Sequence, residues 1–299
     1  MFTKVCIIGC GLIGSSLARA IKKNGLSSQI VSSNRSDSIN KKVIELKIVD
    51  DSSSDTKKMA NGSDLIIIAT PLSSYESVVL KIKDSLKKGT ILTDVGSVKE
   101  NVINLVEKAV PEHVSWIPSH PIAGTEESGP EAGFAELFKN RWCILTPSKK
   151  AKEKDIKLLE TFWKKIGSKV DIMDAKQHDH ILSITSHIPH LVAYNIVNTS
   201  IAMQDEKKSS IIKYSAGGLR DFTRIAASDP IMWRDVFIQN KKNTSKMIDK
   251  FINSLKDLKK AIKNKDGKKL EKIFTKTKKI RKEIVDAGQD VEKADFGRK

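Results

Sequence analysis

No run of apolar residues in this 299-residue chain approaches the roughly 18 needed to cross a bilayer, so no membrane partner is expected. Cysteine is scarce. Cys6, Cys10 and Cys143 show no paired metal-ligand spacing, and their odd count fits a reduced, cytoplasmic chain. Aromatic residues make up only 5% of the total. The formal net charge of +17 therefore comes without the basic-aromatic strips of RNA-binding modules, and no helix-turn-helix pattern accompanies it. The lysines spread along helical faces as a solvated surface, which excludes nucleic acid as the expected partner and suits a small acidic ligand. Near the N-terminus, Lys4 precedes an apolar run ending in Ala18-Arg19-Ala20, which has the look of an export signal. Only about five apolar residues separate Lys4 from Cys10, short of the roughly 7–15 of an export segment, so the run reads as folded structure.

What is present is enough for a full core. With 39% apolar and 30% charged residues the composition is globular, and the length suggests two domains. Lys4-Val5-Cys6-Ile7-Ile8 is a β-branched run that stops at Gly9-Cys10-Gly11-Leu12-Ile13-Gly14. A helical pattern follows, with Leu17, Ala20 and Ile21 on one face and Asn24-Gly25 as its stop. Strand, G-x-G-x-x-G and helix in this order mark a dinucleotide-binding turn. Gly9 allows the tight turn, Gly11 lets a pyrophosphate approach the backbone, and Gly14 lets helix and strand pack closely. Leu12 and Ile13 open the helix whose N–H groups would face the phosphates.

A second strand, Gln29–Ser33, should end in an acid if the adenine ribose carries a free 2′-hydroxyl. It ends in Ser33-Asn34-Arg35-Ser36. An acid would repel a 2′-phosphate, whereas Arg35 flanked by hydroxyls and an amide would hold one. The expected cofactor is therefore NADP, with NAD as the alternative. Two further buried-strand patterns follow at parallel-sheet spacing: Leu65–Ala69 leads into Thr70-Pro71, and Thr90–Asp94 leads into Val95-Gly96-Ser97-Val98-Lys99. Ligands sit at such strand ends in open α/β sheets. Arg141–Leu145 reads as the last strand, closing that sheet before a helix around Asp155–Ile166.

From Ala175 onward the pattern is helical. One long helix is expected over 176–203, carrying His178, His180, His187 and His190, with Pro189 kinking it. No clustered Cys or acid completes a zinc set around these histidines, so no metal is expected. Met247, Ile248, Phe251, Leu255, Leu258 and Ile262 form one apolar stripe, and Leu270, Ile273, Phe274, Ile280 and Ile284 form another. Two amphipathic helices of this kind suit a homodimer seam. Between the histidine helix and these stripes lies Gly217-Gly218-Leu219-Arg220-Asp221-Phe222-Thr223-Arg224, followed by Asp229-Pro230 and Trp233-Arg234-Asp235. Arginine beside glycine-rich backbone is suited to carboxylate or phosphate. Asp229-Pro230 is helix-start chemistry, an N-cap acid before a proline. Arg220 and Arg234 read as ion-pair partners.

Four signals stand in one order: the glycine loop, Asp94-Val-Gly-Ser-Val-Lys99, His120-Pro-Ile-Ala-Gly-Thr125, and Ser186-His-Ile-Pro-His190 ahead of the Gly217–Asp235 block. Together they closely resemble the prephenate/arogenate dehydrogenase family of tyrosine biosynthesis, over nearly the whole chain. The resemblance implies an α/β N-terminal Rossmann-like parallel-sheet domain over 1–172 and an all-α substrate and dimerisation domain over 173–299. It implies oxidative decarboxylation, in which a ring hydroxyl gives up its proton as a hydride passes to the nicotinamide and the ring carboxylate leaves as CO₂. Carried over by position, His120 would be the catalytic base and Ser97 would share the hydroxyl contact. His190 and Arg224 would sit on the substrate side, Arg224 clamping a carboxylate, and Trp233 would shape the pocket, within its own chain or across a dimer interface. No residue separates prephenate from arogenate. The rival reading is a reductase of the β-hydroxyacid or pyrroline-carboxylate type, for which the His120-Pro and Arg220–Arg224 segments are not hallmarks.

Overall fold

The computed structural model describes residues 1–202 and 213–286, and those residues divide between two compact units, Met1–Thr244 and Ser245 onward. Residue 203 of the expected histidine helix lies outside the described residues.

The first unit opens as the β-branched pattern requires. Strand β1 (Phe2–Ile8) is followed by helix α1 (Leu12–Lys23), which buries Leu17, Ala20 and Ile21 against the sheet. Asn24 ends the helix and Gly25 follows in the left-handed region at φ +59°. Then come β2 (Ser27–Ser33), α2 (Asp37–Glu45), β3 (Asp51–Ser53), α3 (Thr56–Ala60), β4 (Leu65–Ile68), α4 (Tyr75–Ile82), β5 (Ile91–Asp94), α5 (Glu100–Val106) and β6 (Ser115–Trp116). The six strands form one all-parallel sheet in the order β3-β2-β1-β4-β5-β6. Chain direction across the sheet reverses between β1 and β4, and the crevice at such a switch point is where doubly wound sheets hold ligands. Leu65, Ile66, Ile67 and Ile68 are fully buried, as a strand covered on both faces should be.

One expectation fails here. The strand at Trp142–Leu145, β8, does not close the parallel sheet. It pairs antiparallel with β7 (Ser119–Pro121) and parallel with β9 (Lys169–Ile172) in a separate three-stranded sheet. Pro118 accounts for the break: it has no N–H for the ladder, and its carbonyl instead accepts the Thr146 N–H at 2.9 Å. The chain thereby leaves β5 after Ile117 and starts a new sheet at Ser119. Helix α6 (Glu153–Lys165) connects β8 to β9.

Every described element after β9 is helical. The expected single helix is α7 (Ala175–Leu182), a π turn over Ser183–His187, and α8 (Ile188–Ala202). Pro189 offers no N–H to the carbonyl four residues back and its ring crowds that carbonyl, so the turn before it widens. Helix α9 (Gly217–Thr223) leads through one 3₁₀ turn to α10 (Pro230–Gln239). Asp229 caps α10 by accepting the Met232 N–H at 2.8 Å, with Pro230 in the first turn, as read from the sequence. Helix α11 (Lys241–Lys263) runs on into the second unit, where Asp266 caps α12 (Gly267–Ile284). On these helices Phe251, Leu255, Ile262, Phe274, Ile280 and Ile284 are all exposed. No described helix is long and apolar enough to cross a membrane.

Candidate active site

A cleft of about 780 Å³ opens where β1, β4 and β5 end and is walled on the far side by the α7–α10 region. It gathers most of the sequence-predicted site residues. Gly11, Leu12 and Ile13 line it from the glycine loop, Thr70, Pro71, Gly96 and Ser97 from the ends of β4 and β5, and His120 from β7. His190, Arg224 and Trp233 complete the wall from the helical region.

The glycine loop is built for close approach. Gly9 sits at φ +97°, and a side chain there would strike the Ala69 carbonyl oxygen at 2.7 Å. A Cβ on Gly14 would come within 2.0 Å of the Gly9 carbonyl oxygen, so helix and loop touch directly. Gly11 differs: apart from its own neighbours along the chain, no protein atom lies within 4 Å of where its Cβ would be. Its bareness serves no protein contact and leaves room for a ligand against the backbone. No side chain caps the N-terminus of α1, and no acid stands in its first turn. The free N–H groups and positive helix end suit a pyrophosphate, so the residues present fit a dinucleotide.

The end of β2 lies apart from the cleft lining. Asn34 is buried, and its Oδ1 accepts the Cys10 N–H at 2.6 Å, tying β2 to the glycine loop. Its Nδ2 donates to Asn40 Oδ1 at 3.0 Å, and Ser33 is occupied with Thr56 at 3.0 Å. Arg35 and Ser36 are exposed, and Arg35 has no acidic partner among the described residues. Of the four residues read as ribose contacts, Ser33 and Asn34 thus have structural work, the Ser36 hydroxyl is bonded to that of Ser38 at 2.6 Å, and Arg35 alone is available.

His120 is buried, and the contact that orients it comes from a residue the sequence did not single out. His120 Nδ1 lies 2.8 Å from His178 Nε2, and His178 Nδ1 lies 2.8 Å from Asp179 Oδ1. Asp179 also accepts the backbone N–H of Lys99 on Oδ1 at 2.8 Å and that of Glu100 on Oδ2 at 3.0 Å. Backbone N–H groups can only donate, so the Asp179 oxygens are acceptors and His178 donates Nδ1–H to them. A neutral His178 then has its lone pair on Nε2 and receives Nδ1–H from His120. The remaining nitrogen of His120, Nε2, carries the lone pair, the form a general base needs. Burial, reinforced by the nearby His178, Lys99 and His187, holds His120 well below the ordinary histidine value, so it stays unprotonated at neutral pH.

His187 and His190 share Trp233. His190 stacks on that indole with ring centroids 3.7 Å apart, and His187 meets it edge-on at 6.2 Å. Trp233 therefore shapes the pocket within its own chain. His190 Nδ1 donates to the Ser186 carbonyl at 2.9 Å, which leaves Nε2 as the ring nitrogen not committed to that bond. His187 is fully buried, its Nδ1 receiving Asn240 Nδ2–H at 3.1 Å, and burial pushes it down to about 4. Arg224 Nη1 pairs with Glu126 Oε2 at 2.8 Å across the cleft wall. Arg234 pairs with Asp235 through two nitrogens at 2.9 and 2.7 Å, and Asp235 accepts the Ser73 N–H at 3.1 Å, docking α10 beside Thr70-Pro71. Arg220 sits 3.5 Å from Asp221. Among the described residues no group of three or more His, Cys, Asp or Glu could hold a metal ion.

Residues 17–172 match the family described as prephenate dehydrogenase, nucleotide-binding domain, and residues 174–276 match prephenate dehydrogenase, dimerization domain. The chain belongs to the prephenate dehydrogenase family. Among curated members, it is 37% identical to a cyclohexadienyl dehydrogenase of Zymomonas mobilis over 94% of this chain and 96% of that one. It is 31% identical to a prephenate dehydrogenase of Bacillus subtilis, over 93% of this chain and 75% of that one. Among solved structures, the prephenate dehydrogenase of Aquifex aeolicus in complex with hydroxyphenyl propionate and NAD⁺ superimposes with a TM-score of 0.88 at 33% identity. The match covers 95% of this chain and 99% of that one. Within a family of dehydrogenases, a parallel sheet with a glycine loop and a helical region after β9 is the architecture the sequence implied.

Proposed function

We propose that the chain catalyses nicotinamide-dependent oxidative decarboxylation of prephenate, arogenate or both. The observation that carries this reading is the His120–His178–Asp179 arm at the base of a cleft that also presents a dinucleotide loop and an arginine. A bound nicotinamide supplies the hydride acceptor. His120 Nε2 accepts the hydrogen bond, then the proton, of the ring C4 hydroxyl, with Ser97 contributing a second polar contact from the β5 turn. The charge formed on His120 is shared through Nδ1–H with His178, whose own N–H faces the Asp179 carboxylate. As the ring carboxylate leaves and the ring becomes aromatic, the phenolate oxygen takes the borrowed proton back from His120. Arg224 binds a substrate carboxylate, exchanging its Glu126 partner for a planar two-oxygen one. His190 and Trp233 form the face against which the substrate ring packs.

The proposed cofactor is NADP, because Arg35 stands exposed and without an acidic partner among the described residues where an NAD site would carry an acid. NAD is the second reading, favoured by the NAD⁺ in the Aquifex complex. The proposed domain boundary is near 172–173, and the proposed assembly is a homodimer through the apolar stripes of α11 and α12. Phe251, Leu255 and Ile262 of the first stripe and Phe274, Ile280 and Ile284 of the second are exposed on the single chain, and the family's C-terminal segment is described as a dimerization domain. A cytoplasmic location goes with the three free cysteines. The deciding experiment is an assay matrix of purified protein with prephenate or arogenate and NAD or NADP, following reduced cofactor and identifying the aromatic product. Turnover of either cyclohexadiene supports the reading, and turnover of neither with both cofactors refutes it.

A further inference from the structure

Lys99 is one of the largest fully buried side chains in the protein, with no exposed surface. Lysine is almost never buried to this extent unless paired. Its Nζ donates to Asp94 Oδ2 at 2.5 Å and to the Ser119 carbonyl at 2.8 Å. Asp94 in turn accepts the N–H of Gly96 at 2.8 Å and of Ser119 at 3.1 Å. The ion pair thus binds the Gly96-Ser97 turn to the strand that carries His120. The backbone N–H of the same Lys99 goes to Asp179, which orients His178, which orients His120. Because Ser119 is the residue before His120, these bonds close a circuit through Lys99, Asp179, His178, His120 and Ser119. A hydrophobic pair of similar volume would hold the same strands together without burying charge. Stability alone therefore does not account for a cation at this point.

We propose that Lys99, paired with Asp94, is a positioning residue for the base. It clamps the Ser97 turn and the His120 strand to the His178–Asp179 arm and stands as a fixed positive charge behind the two imidazoles. The inference rests on His120 being the base of the reaction proposed above. Its electrostatic part follows from the surroundings of the pair. Asp94 and Lys99 approach from β5 and its turn, Asp179 from α7, His187 from the π turn and Cys143 from β8. Tyr75 on α4 adds a hydroxyl beside Asp94. Lys99 disfavours protonation of both His120 and His178, while Asp94 and Asp179 favour it at His178. Removing the cation should let the pair protonate at higher pH and remove the base from action over part of the range where it now works.

The test uses the full chain with Lys99→Met, the double change Asp94→Asn with Lys99→Met, and Lys99→Arg. Two readouts are taken: the ring ¹⁵N titration of the histidines in ligand-free protein, and the pH dependence of kcat. In Lys99→Met the titration of the His120–His178 pair and the acid limb of kcat should both move up by on the order of one pH unit. The double variant, which leaves no buried carboxylate unpaired, should move the same way by less. Lys99→Arg keeps the charge and should leave both where they are, even if its bulk lowers kcat. An unmoved titration in a folded Lys99→Met or double variant overturns the proposal, as does an equal movement in Lys99→Arg. If neither methionine variant folds, a Lys99→Arg titration that moves up by on the order of one pH unit overturns the proposal, and one that stays in place supports it. Wild-type protein that turns over neither cyclohexadiene would defeat the catalytic reading alone, because the ligand-free titration does not depend on it.

Discussion

His120 and His178, 58 residues apart in the chain, meet ring to ring through Nδ1 and Nε2 at 2.8 Å. That single contact determines which nitrogen of His120 carries a lone pair. It comes from the N-terminal half of a helix docked on the nucleotide-binding unit, so the base is complete only when sheet and helix are assembled together.

If His178 holds the reactive tautomer, His178→Asn should lower kcat on the order of 100-fold while KM changes little, since the lost orientation matters as the proton moves. Steady-state kinetics with saturating cofactor checks this. Unchanged kcat would mean that His120 orients itself and the arm is only packing.

Arg224 should reveal itself through substrate affinity. Arg224→Ala removes the cationic partner of a substrate carboxylate and should raise KM by about 30-fold or more, with a smaller change in kcat. Arg224→Lys should recover only part of this, because an ammonium cannot make the planar two-pronged contact. An alanine variant with unaltered KM would take Arg224 out of the binding site and leave its Glu126 pair as a surface contact.

The cofactor choice is separable from the chemistry. Arg35→Ala should lower kcat/KM for NADP on the order of 10-fold and leave NAD nearly untouched, the size expected of one exposed charge-assisted contact. An NADP preference that survives the change would clear Arg35 of that role.

Much of this arrangement can be read from residue order, and the reasons are local. The β-branched run before Gly9, the stop at Asn24-Gly25 and the Asp229-Pro230 cap each depend on neighbours within a few residues. The three-stranded sheet was hidden because β7 is only three residues long and follows a proline, so Arg141–Leu145 passed for the next strand of the first sheet. Lys99 reads as one more lysine in a lysine-rich chain until its burial is seen. His178 is legible as a histidine on a helix, but its partner is a strand residue far away in sequence. A second clue was available in His178-Asp179, since a histidine followed by an acid near the start of a helix can be oriented by it.

Stability should depend on acid in a definite direction. His187 titrates at about 4 in the folded chain, against about 6.5 when unfolded. Between these values the unfolded chain holds a proton that the folded chain refuses. Stability is therefore lost progressively as pH falls from about 6.5 to about 4, by on the order of 3 kcal/mol for this group alone. His120, His178 and His190 are depressed in the same direction, in each case chiefly by burial. Thermal unfolding from pH 7 down to pH 5 should show Tm falling steadily. A level or rising Tm would show that these rings are accessible to protons in the folded protein.

Proton abstraction by His120 is tested most directly by His120→Asn, assayed with whichever of prephenate or arogenate the wild type oxidises. The amide keeps much of the ring's volume and a polar end but cannot take a proton at neutral pH. The variant should lose between about 10² and 10⁴ in kcat with KM nearly unchanged. It should also lose the acid limb that in the wild type marks protonation of the base below the ordinary histidine range. Turnover within a few-fold of wild type, or an acid limb that persists unchanged in the variant, would contradict the assignment of His120 as the base.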